Sequence, residues 1–292
     1  MIEAFGRRFC FCDEPLLSSA SLSLLPPLWV KRTTLSFAKH SPLFSGYTTL
    51  SKRRVRYIFF QKRGGSWGFE VEGVVFLFWD EKEEVIYYEP QEAFTPFLLR
   101  FWVLHTFFPL VLRFANKAYF LHAGGVVFER EPLLFLAPSG GGKSTLTHQL
   151  LLRGASLLGD DALPLLSKEG EIGVMGAYPF YRPYRASESL GYREKSFTPS
   201  FYRLRKVFLL KRVSQQAPLS LRPLQGREKF EALYLHRYIP FEQLKKEDFK
   251  QTSFLARHLL VWELTLPWSL ERFDEVVVLL KRLLEEDASN EK

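Results

Sequence analysis

The chain has 292 residues, of which 47% are hydrophobic, and its mean hydropathy is −0.08. The length and composition are typical of a soluble globular protein with one large or two small domains. The chain is long enough and apolar enough to bury a hydrophobic core. The formal net charge of +8 favours anionic partners. The basic stretches 52–56 and 182–193 are interpreted as solvated faces, so nucleic acid is a less favoured partner than ATP or an acidic peptide.

The amino-terminal residues bear on the cellular compartment. Cys10 and Cys12 are the only cysteines, and a disulfide across one intervening residue would be strained. Sparse cysteine favours a reducing compartment, and residues 1–8 lack the apolar core of a signal peptide. We therefore expect a cytoplasmic protein. Asparagine occurs only at positions 116 and 290, which with abundant Lys, Arg and Glu suggests a thermophilic source.

Aromatic and β-branched runs dominate the first third of the chain. They are separated by glycine pairs or charged turns, which predicts an antiparallel sheet. The predicted strands are residues 55–60, 67–72, 74–79 and 85–88. We accordingly divide the chain into a β-rich amino-terminal region (1–92), a second domain (93–286) and a frayed tail (287–292).

Residues 94–115 form an apolar stretch that resembles a membrane span. The stretch contains Arg100, His105 and Arg113, which are costly in hydrocarbon, and Pro109, which disrupts a helix. It is therefore predicted to be a buried helix with a kink, and no membrane span is expected.

An apolar strand at residues 133–136 leads into a glycine-rich turn and then Lys-Ser, which predicts a phosphate-binding loop. Glycine permits the backbone angles that point successive N–H groups at a polyphosphate, and the following helix, predicted over 143–153, directs its positive end to the same place. Lys143 would reach the β- and γ-phosphates of ATP, and Ser144 would ligate Mg²⁺. The alternative is a chance glycine-rich turn. The predicted nucleotide-binding residues are Ser139, Gly140, Gly141, Gly142, Lys143, Ser144 and Thr145.

Two acids, Asp160 and Asp161, interrupt the next predicted strand, residues 156–166. Adjacent residues on a strand point to opposite faces, so one carboxylate could face a metal and the other an acceptor hydroxyl. The alternative is a polar Gly-Asp-Asp turn between strands.

The remainder of the chain alternates strands with helices. A loop rich in Pro, Tyr and Arg, 178–199, is long enough for a substrate lid or an assembly surface. Arg182 and Arg185 are candidate contacts to an anionic acceptor peptide, unless they simply face solvent between prolines. Strands are predicted near 206–211 and 261–266, and a closing helix over 271–285 with an apolar stripe for core packing.

Three segments in the same order, 121–128, 137–146 and 153–161, resemble the catalytic domain of the HPr kinase/phosphorylase family. Its relatives include serine kinases of peptide maturation, such as lasso-peptide precursor kinases. The resemblance implies a mixed α/β (α+β) fold, in which a phosphate-loop domain with a mixed sheet and flanking helices follows the antiparallel β region. The family's glycine- and arginine-rich substrate segment has no convincing copy here, which leaves HPr as substrate and the reverse phosphorylase reaction open.

The resemblance also implies roles for individual residues. His122 would lie near the transferred phosphate, beside Lys143, although a histidine in an apolar strand is also compatible with a satisfied core residue. One aspartate would act as base on the acceptor serine and the other would help to hold Mg²⁺. We assign Asp160 as the base and Asp161 as the metal ligand, with the order open.

The leading hypothesis is an ATP-dependent kinase that phosphorylates a serine hydroxyl on a peptide or small protein. Two other classes compete. One is a regulatory or assembly protein that binds a nucleotide without phosphotransfer, and the other is a small-molecule phosphotransferase or carboxykinase-like enzyme. The acceptor and the oligomeric state are left open by the sequence.

Overall fold

The computed structural model describes residues 1–12, 25–34, 42–50, 53–61, 66–168, 170–182 and 189–290. These residues form two compact units, 1–117 with 189–191, and 118–182 with 192–290. Each unit contains one eight-stranded mixed sheet within the described residues. The predicted mixed α+β fold class is confirmed.

The strands of the first unit belong to one sheet in the order β1-β2-β3-β8-β7-β6-β5-β4. Their bounds are β1 Ile2–Ala4, β2 Arg7–Phe11, β3 Pro27–Arg32, β4 Phe44–Leu50, β5 Arg53–Gln61, β6 Trp67–Val71, β7 Val75–Asp80 and β8 Val85–Pro90. The strands β4 to β8 form an antiparallel meander that contains all four predicted strands. The pairs β2–β3 and β3–β8 are parallel, so this sheet is mixed rather than purely antiparallel.

The predicted apolar helix of residues 94–115 forms three successive segments in the first unit. They are α1 Pro96–Phe101, a π-helix Trp102–Phe107 and α2 Phe108–Phe114. Pro109 has no N–H to donate to the carbonyl of His105, and the N–H of Phe108 bonds to the Val103 carbonyl instead, so the regular α-helical pattern is interrupted just before the proline.

This helix explains why the boundary between the units differs from the predicted one. Its aromatic side chains pack on the first sheet, with ring centroids 5.7 Å apart for Phe69 and Trp102 and 6.0 Å apart for Phe69 and Phe107. The boundary therefore follows Lys117 instead of residue 92. Residues 96–114 are long and apolar enough to cross a membrane, with a mean hydropathy of 1.4, but 67% of that stretch is buried within the protein.

The strands of the second unit belong mainly to a sheet in the order β15-β12-β11-β9-β10-β16-β18-β17, with a separate ribbon of β13 and β14. Their bounds are β9 Tyr119–Phe128, β10 Glu131–Leu136, β11 Ser156–Lys168, β12 Glu171–Met175, β13 Phe180–Tyr181, β14 Tyr192–Arg193, β15 Phe201–Arg203, β16 Lys206–Val213, β17 Ser220–Pro223 and β18 Leu260–Pro267. The pairs β10–β16 and β16–β18 are parallel, whereas β9 is antiparallel to both β10 and β11.

The helices of the second unit are α3 Lys143–Leu151, α4 Gly226–Leu235, a 3-10 turn Glu242–Leu244, α5 Lys245–His258 and α6 Phe273–Asn290. The predicted stripe of α6 is core packing, because Phe273, Val276 and Leu280 are buried against side chains of the sheet. The helix continues through Asn290, in a sequence without proline or glycine to end it, and residues 291–292 of the predicted tail lie outside the described residues.

Candidate functional site

The turn between β10 and α3 has the backbone of an anion-binding loop. Gly140 and Gly142 have φ of +79° and +98°, values that favour glycine, and Gly142 caps the first turn of α3. Gly141 donates its N–H to the Pro138 carbonyl at 3.0 Å. A Cβ on Gly141 would lie 2.7 Å from the Cβ of Ala137. All three positions therefore favour glycine, two for their backbone angles and one for lack of space. Ser139 and Gly140 are exposed to solvent and Thr145 is half-buried.

Lys143 is buried at the beginning of α3, with 6% of its surface exposed. Its Nζ donates to the carbonyl of Ala137 at 2.6 Å and lies 3.4 Å from that of Pro138. The ammonium therefore lies inside the curve of the loop, where it could exchange these carbonyls for phosphate oxygens.

Close contact between α3 and β9 places the start of the helix over the sheet. A Cβ on Gly124 would lie 2.7 Å from Thr147 Oγ1 and 3.6 Å from the Cβ of Lys143. A larger residue at position 124 would have to displace the Thr147 side chain or the helix, so this glycine allows α3 to pack closely on β9.

Asp160 is the buried acid of the pair, with 2% of its surface exposed. Ser144 Oγ lies 3.1 and 3.2 Å from its two carboxylate oxygens, and the N–H of Arg182 donates to Oδ2 at 2.9 Å. The Tyr178 hydroxyl donates to the Asp160 carbonyl at 3.0 Å. Burial raises the pKa of Asp160, opposed by hydrogen bonds from Arg182 and Ser144 and by nearby positive charge.

Asp161 does not follow the alternation predicted for a regular strand. Asp160 lies opposite Gly124 and Asp161 opposite Ala123, and opposite residues share a face. A regular strand would thus turn Asp161 to the other face. Instead Asp161 has a φ of +86°, and its Oδ1 lies 3.9 Å from Nδ1 of His122, which shares the face of Gly124. The left-handed backbone turns both carboxylates towards one site.

Arg182 joins the two acids. Its guanidinium forms an ion pair with the Asp161 carboxylate while its backbone N–H bonds to Asp160. Its side chain is 17% exposed, so it is held in the site rather than facing solvent between prolines. Arg185, the other predicted acceptor contact, lies outside the described residues.

The contacts favour the reverse of the predicted division of roles. The hydroxyl predicted to hold the metal, on Ser144, contacts Asp160 and not Asp161. Asp161 is the more exposed acid, with 19% of its side chain accessible beside His122. A hydroxyl and a carboxylate are hard oxygen donors that suit Mg²⁺. No cluster of three or more His, Cys, Asp or Glu side chains suited to a metal occurs among the described residues, and a Mg²⁺ site completed by phosphate oxygens and water does not require one.

A second histidine, His236, lies at the site and was not predicted. The strand β9 extends beyond the end of β10, and the segment after α4 pairs with its free edge: the N–H of His122 donates to the His236 carbonyl at 2.7 Å. The His236 ring donates Nδ1–H to the Ala232 carbonyl at 2.8 Å. Its pKa is lowered by burial and by the charge of Lys143, against that hydrogen bond. No local sequence signal connects this residue with the loop, because the connection depends on the order of the strands.

No family model matches the chain, and no curated protein matches its sequence. Among solved structures, the Hpr(Ser) kinase/phosphatase from Coxiella burnetii is similar, at 15% sequence identity and a TM-score of 0.36. The alignment covers 59% of this chain and 95% of that one. A similarity this distant carries no functional conclusion, so the function must be inferred from the geometry of the site.

Proposed function

We propose that the protein is an ATP-dependent kinase that uses Mg²⁺ and transfers the γ-phosphate to a serine hydroxyl of a peptide or small protein. The observation that carries the proposal is the contact of Ser144 Oγ with the Asp160 carboxylate, at 3.1 and 3.2 Å, beside a loop with the backbone of a phosphate site. This contact joins the two hard oxygen ligands that a phosphate-bound Mg²⁺ needs.

Ser144 and Asp160 would hold the metal, which would neutralise charge on the phosphate oxygens. The N–H groups of the loop would bind the phosphates with Lys143, whose ammonium already lies inside the loop. These groups position the polyphosphate and neutralise its charge, and proteins catalyse phosphoryl transfer mainly in these two ways.

Asp161 would accept the proton of the serine hydroxyl. Its carboxylate is accessible, lies next to His122 and is held by the Arg182 guanidinium. A base must come within hydrogen-bond reach of the hydroxyl, and the ion pair with Arg182 orients this carboxylate at the site. His122 and Arg182 would also place positive or donor groups beside the transferred phosphate.

The proposal is tested by incubating the protein with Mg²⁺ and ATP labelled at the γ-phosphate, together with peptides that each contain one serine. A matched set of peptides has alanine in place of the serine. Acidic peptides are included because the protein carries a net charge of +8. We expect label on serine peptides only, and labelling slower by about 10²- to 10⁴-fold when Asp161→Asn replaces the wild type.

Two results would contradict the proposal in different ways. Tight Mg²⁺-ATP binding without label on any hydroxyl peptide would favour a nucleotide-binding regulatory protein. Label on small alcohols but on no peptide would favour a small-molecule phosphotransferase.

A further inference from the structure

Three neighbouring strands of the second sheet end at the edge that carries the phosphate loop. The strands β10, β16 and β18 run in the same direction, and the loop follows β10. Ligands of parallel sheets bind outside the carboxyl ends of the strands. At this edge β16 ends with Arg212 and Val213, and Trp268 follows β18.

Arg212 and Trp268 form a cationic stack next to the loop, in which the guanidinium covers one face of the indole ring. The guanidinium carbon of Arg212 lies 3.3 Å from the centroid of the Trp268 ring. The Trp268 N–H bonds to the Val213 carbonyl at 3.2 Å, which fixes the residue to the end of β16. A Cβ on Gly142 would lie 3.3 Å from ring carbon Cζ3, so the ring borders the loop where α3 begins. Trp268 nevertheless remains 37% exposed.

The direction of phosphoryl transfer places the nucleoside on this side of the loop. The attacking and leaving oxygens lie roughly in line through the transferred phosphorus. The proposed base, Asp161, lies on β11, and His122 on β9, which are on one side of β10 in the sheet order. The acceptor hydroxyl therefore approaches from that side, and the leaving nucleotide extends to the other, where β16 and β18 lie.

We infer that Trp268 and Arg212 bind the base of the nucleotide by stacking. The inference rests on the proposed function, since it assumes that the loop holds a nucleoside triphosphate. Aromatic rings and guanidinium planes both stack on bases, and every base offers a π-face. The ligand class is a nucleoside triphosphate, and stacking alone gives little discrimination between adenine and guanine, so ATP and GTP bind with similar affinity.

The test compares ATP with inorganic tripolyphosphate, which has the phosphates but no base, by calorimetry with Mg²⁺. The wild type binds ATP more tightly than tripolyphosphate. Trp268→Ala weakens ATP binding by about 5- to 150-fold, the range that base stacking supplies, and leaves tripolyphosphate binding unchanged. Trp268→Phe retains most of the ATP affinity. Leu270→Ala is the matched control, because Leu270 is an apolar residue in the same segment and is 63% exposed. This substitution leaves the affinities for ATP and for tripolyphosphate unchanged.

Each outcome separates this inference from the proposed function. Binding of both ligands by the wild type, with ATP affinity unaltered in Trp268→Ala, overturns the stacking surface and leaves the phosphate site intact. If Trp268→Ala lowers the affinities for ATP and for tripolyphosphate equally, the ring has a structural role, and the inference is overturned. Failure of the wild type to bind either ligand overturns the proposed function and the inference with it.

Discussion

The sheet of the second unit has two halves that meet at the phosphate loop. On one side β10, β16 and β18 run parallel and present their ends, with Arg212 and Trp268, to the site. On the other side β9 and β11 are antiparallel and extend past the end of β10, so His122 and the two acids reach the site from the middle of their strands. In the proposed kinase the parallel half binds the nucleotide and the antiparallel half performs the transfer, so substitutions in the two halves should fail differently.

The largest effect is expected from Asp161→Asn in the antiparallel half. Loss of a general base lowers kcat by about 10²- to 10⁴-fold, while Mg²⁺-ATP affinity stays unchanged because Asp161 does not contact Ser144. Single-turnover transfer and calorimetry measure the two quantities. A large loss of Mg²⁺-ATP affinity in Asp161→Asn, with binding retained in Asp160→Asn, would restore the division of roles that the sequence predicted.

Lys143→Ala is expected to weaken ATP binding itself and not only the transfer step. A hydrogen bond to a charged group is worth about 1.5–3 kcal/mol, so ATP affinity should fall by about 10- to 150-fold in a folded protein. The matched control is Lys206→Ala, because Lys206 is also buried but lies at the opposite, amino-terminal end of β16. Equal ATP affinity in the wild type and Lys143→Ala, measured by calorimetry, would refute the loop as the nucleotide site.

Gly124→Ala probes the junction between the two halves. The added methyl group would meet Thr147 Oγ1 at 2.7 Å, and overpacking of this kind costs about 1–3 kcal/mol. We expect a lower free energy of unfolding and weaker Mg²⁺-ATP binding, because the displaced helix moves Ser144 from Asp160. Adding Thr147→Ala should restore both properties, as measured by denaturant titration and calorimetry. If Thr147→Ala does not restore them, the contact between position 124 and Thr147 is not the cause of the lost stability and affinity.

The smallest effect is expected for the stability of Asp160→Asn without ligand. Burial raises the pKa of Asp160, so the ionised carboxylate costs folding free energy at pH values above that folded-state pKa. The amide removes this cost, and the Tm should rise at neutral pH by roughly 2–4 °C for each kcal/mol. The difference from the wild type should shrink as the pH falls and the wild-type carboxyl is protonated. A difference independent of pH, in thermal scans over this range, would exclude the ionisation as its cause.

Local patterns predicted the strand, loop and helix around residues 133–151, because glycine spacing and apolar runs act over a few residues. The same reasoning located the acidic pair. It placed Asp161 on the wrong face, because no propensity predicts a positive φ for aspartate within a strand. His236 and Trp268 gave no signal, since strand pairing brings them to the loop from distant parts of the sequence.

At Asp161 the backbone conformation that activity requires lowers the stability of the fold. A non-glycine residue in the left-handed region costs about 1–2 kcal/mol, and glycine would avoid this cost. Directed evolution for heat resistance alone should therefore tend to discard the carboxylate at this position, whereas a screen that also demands phosphotransfer should retain it. The retained aspartate would mark a cost in folding that is tolerated because it brings both acids to one face of the sheet.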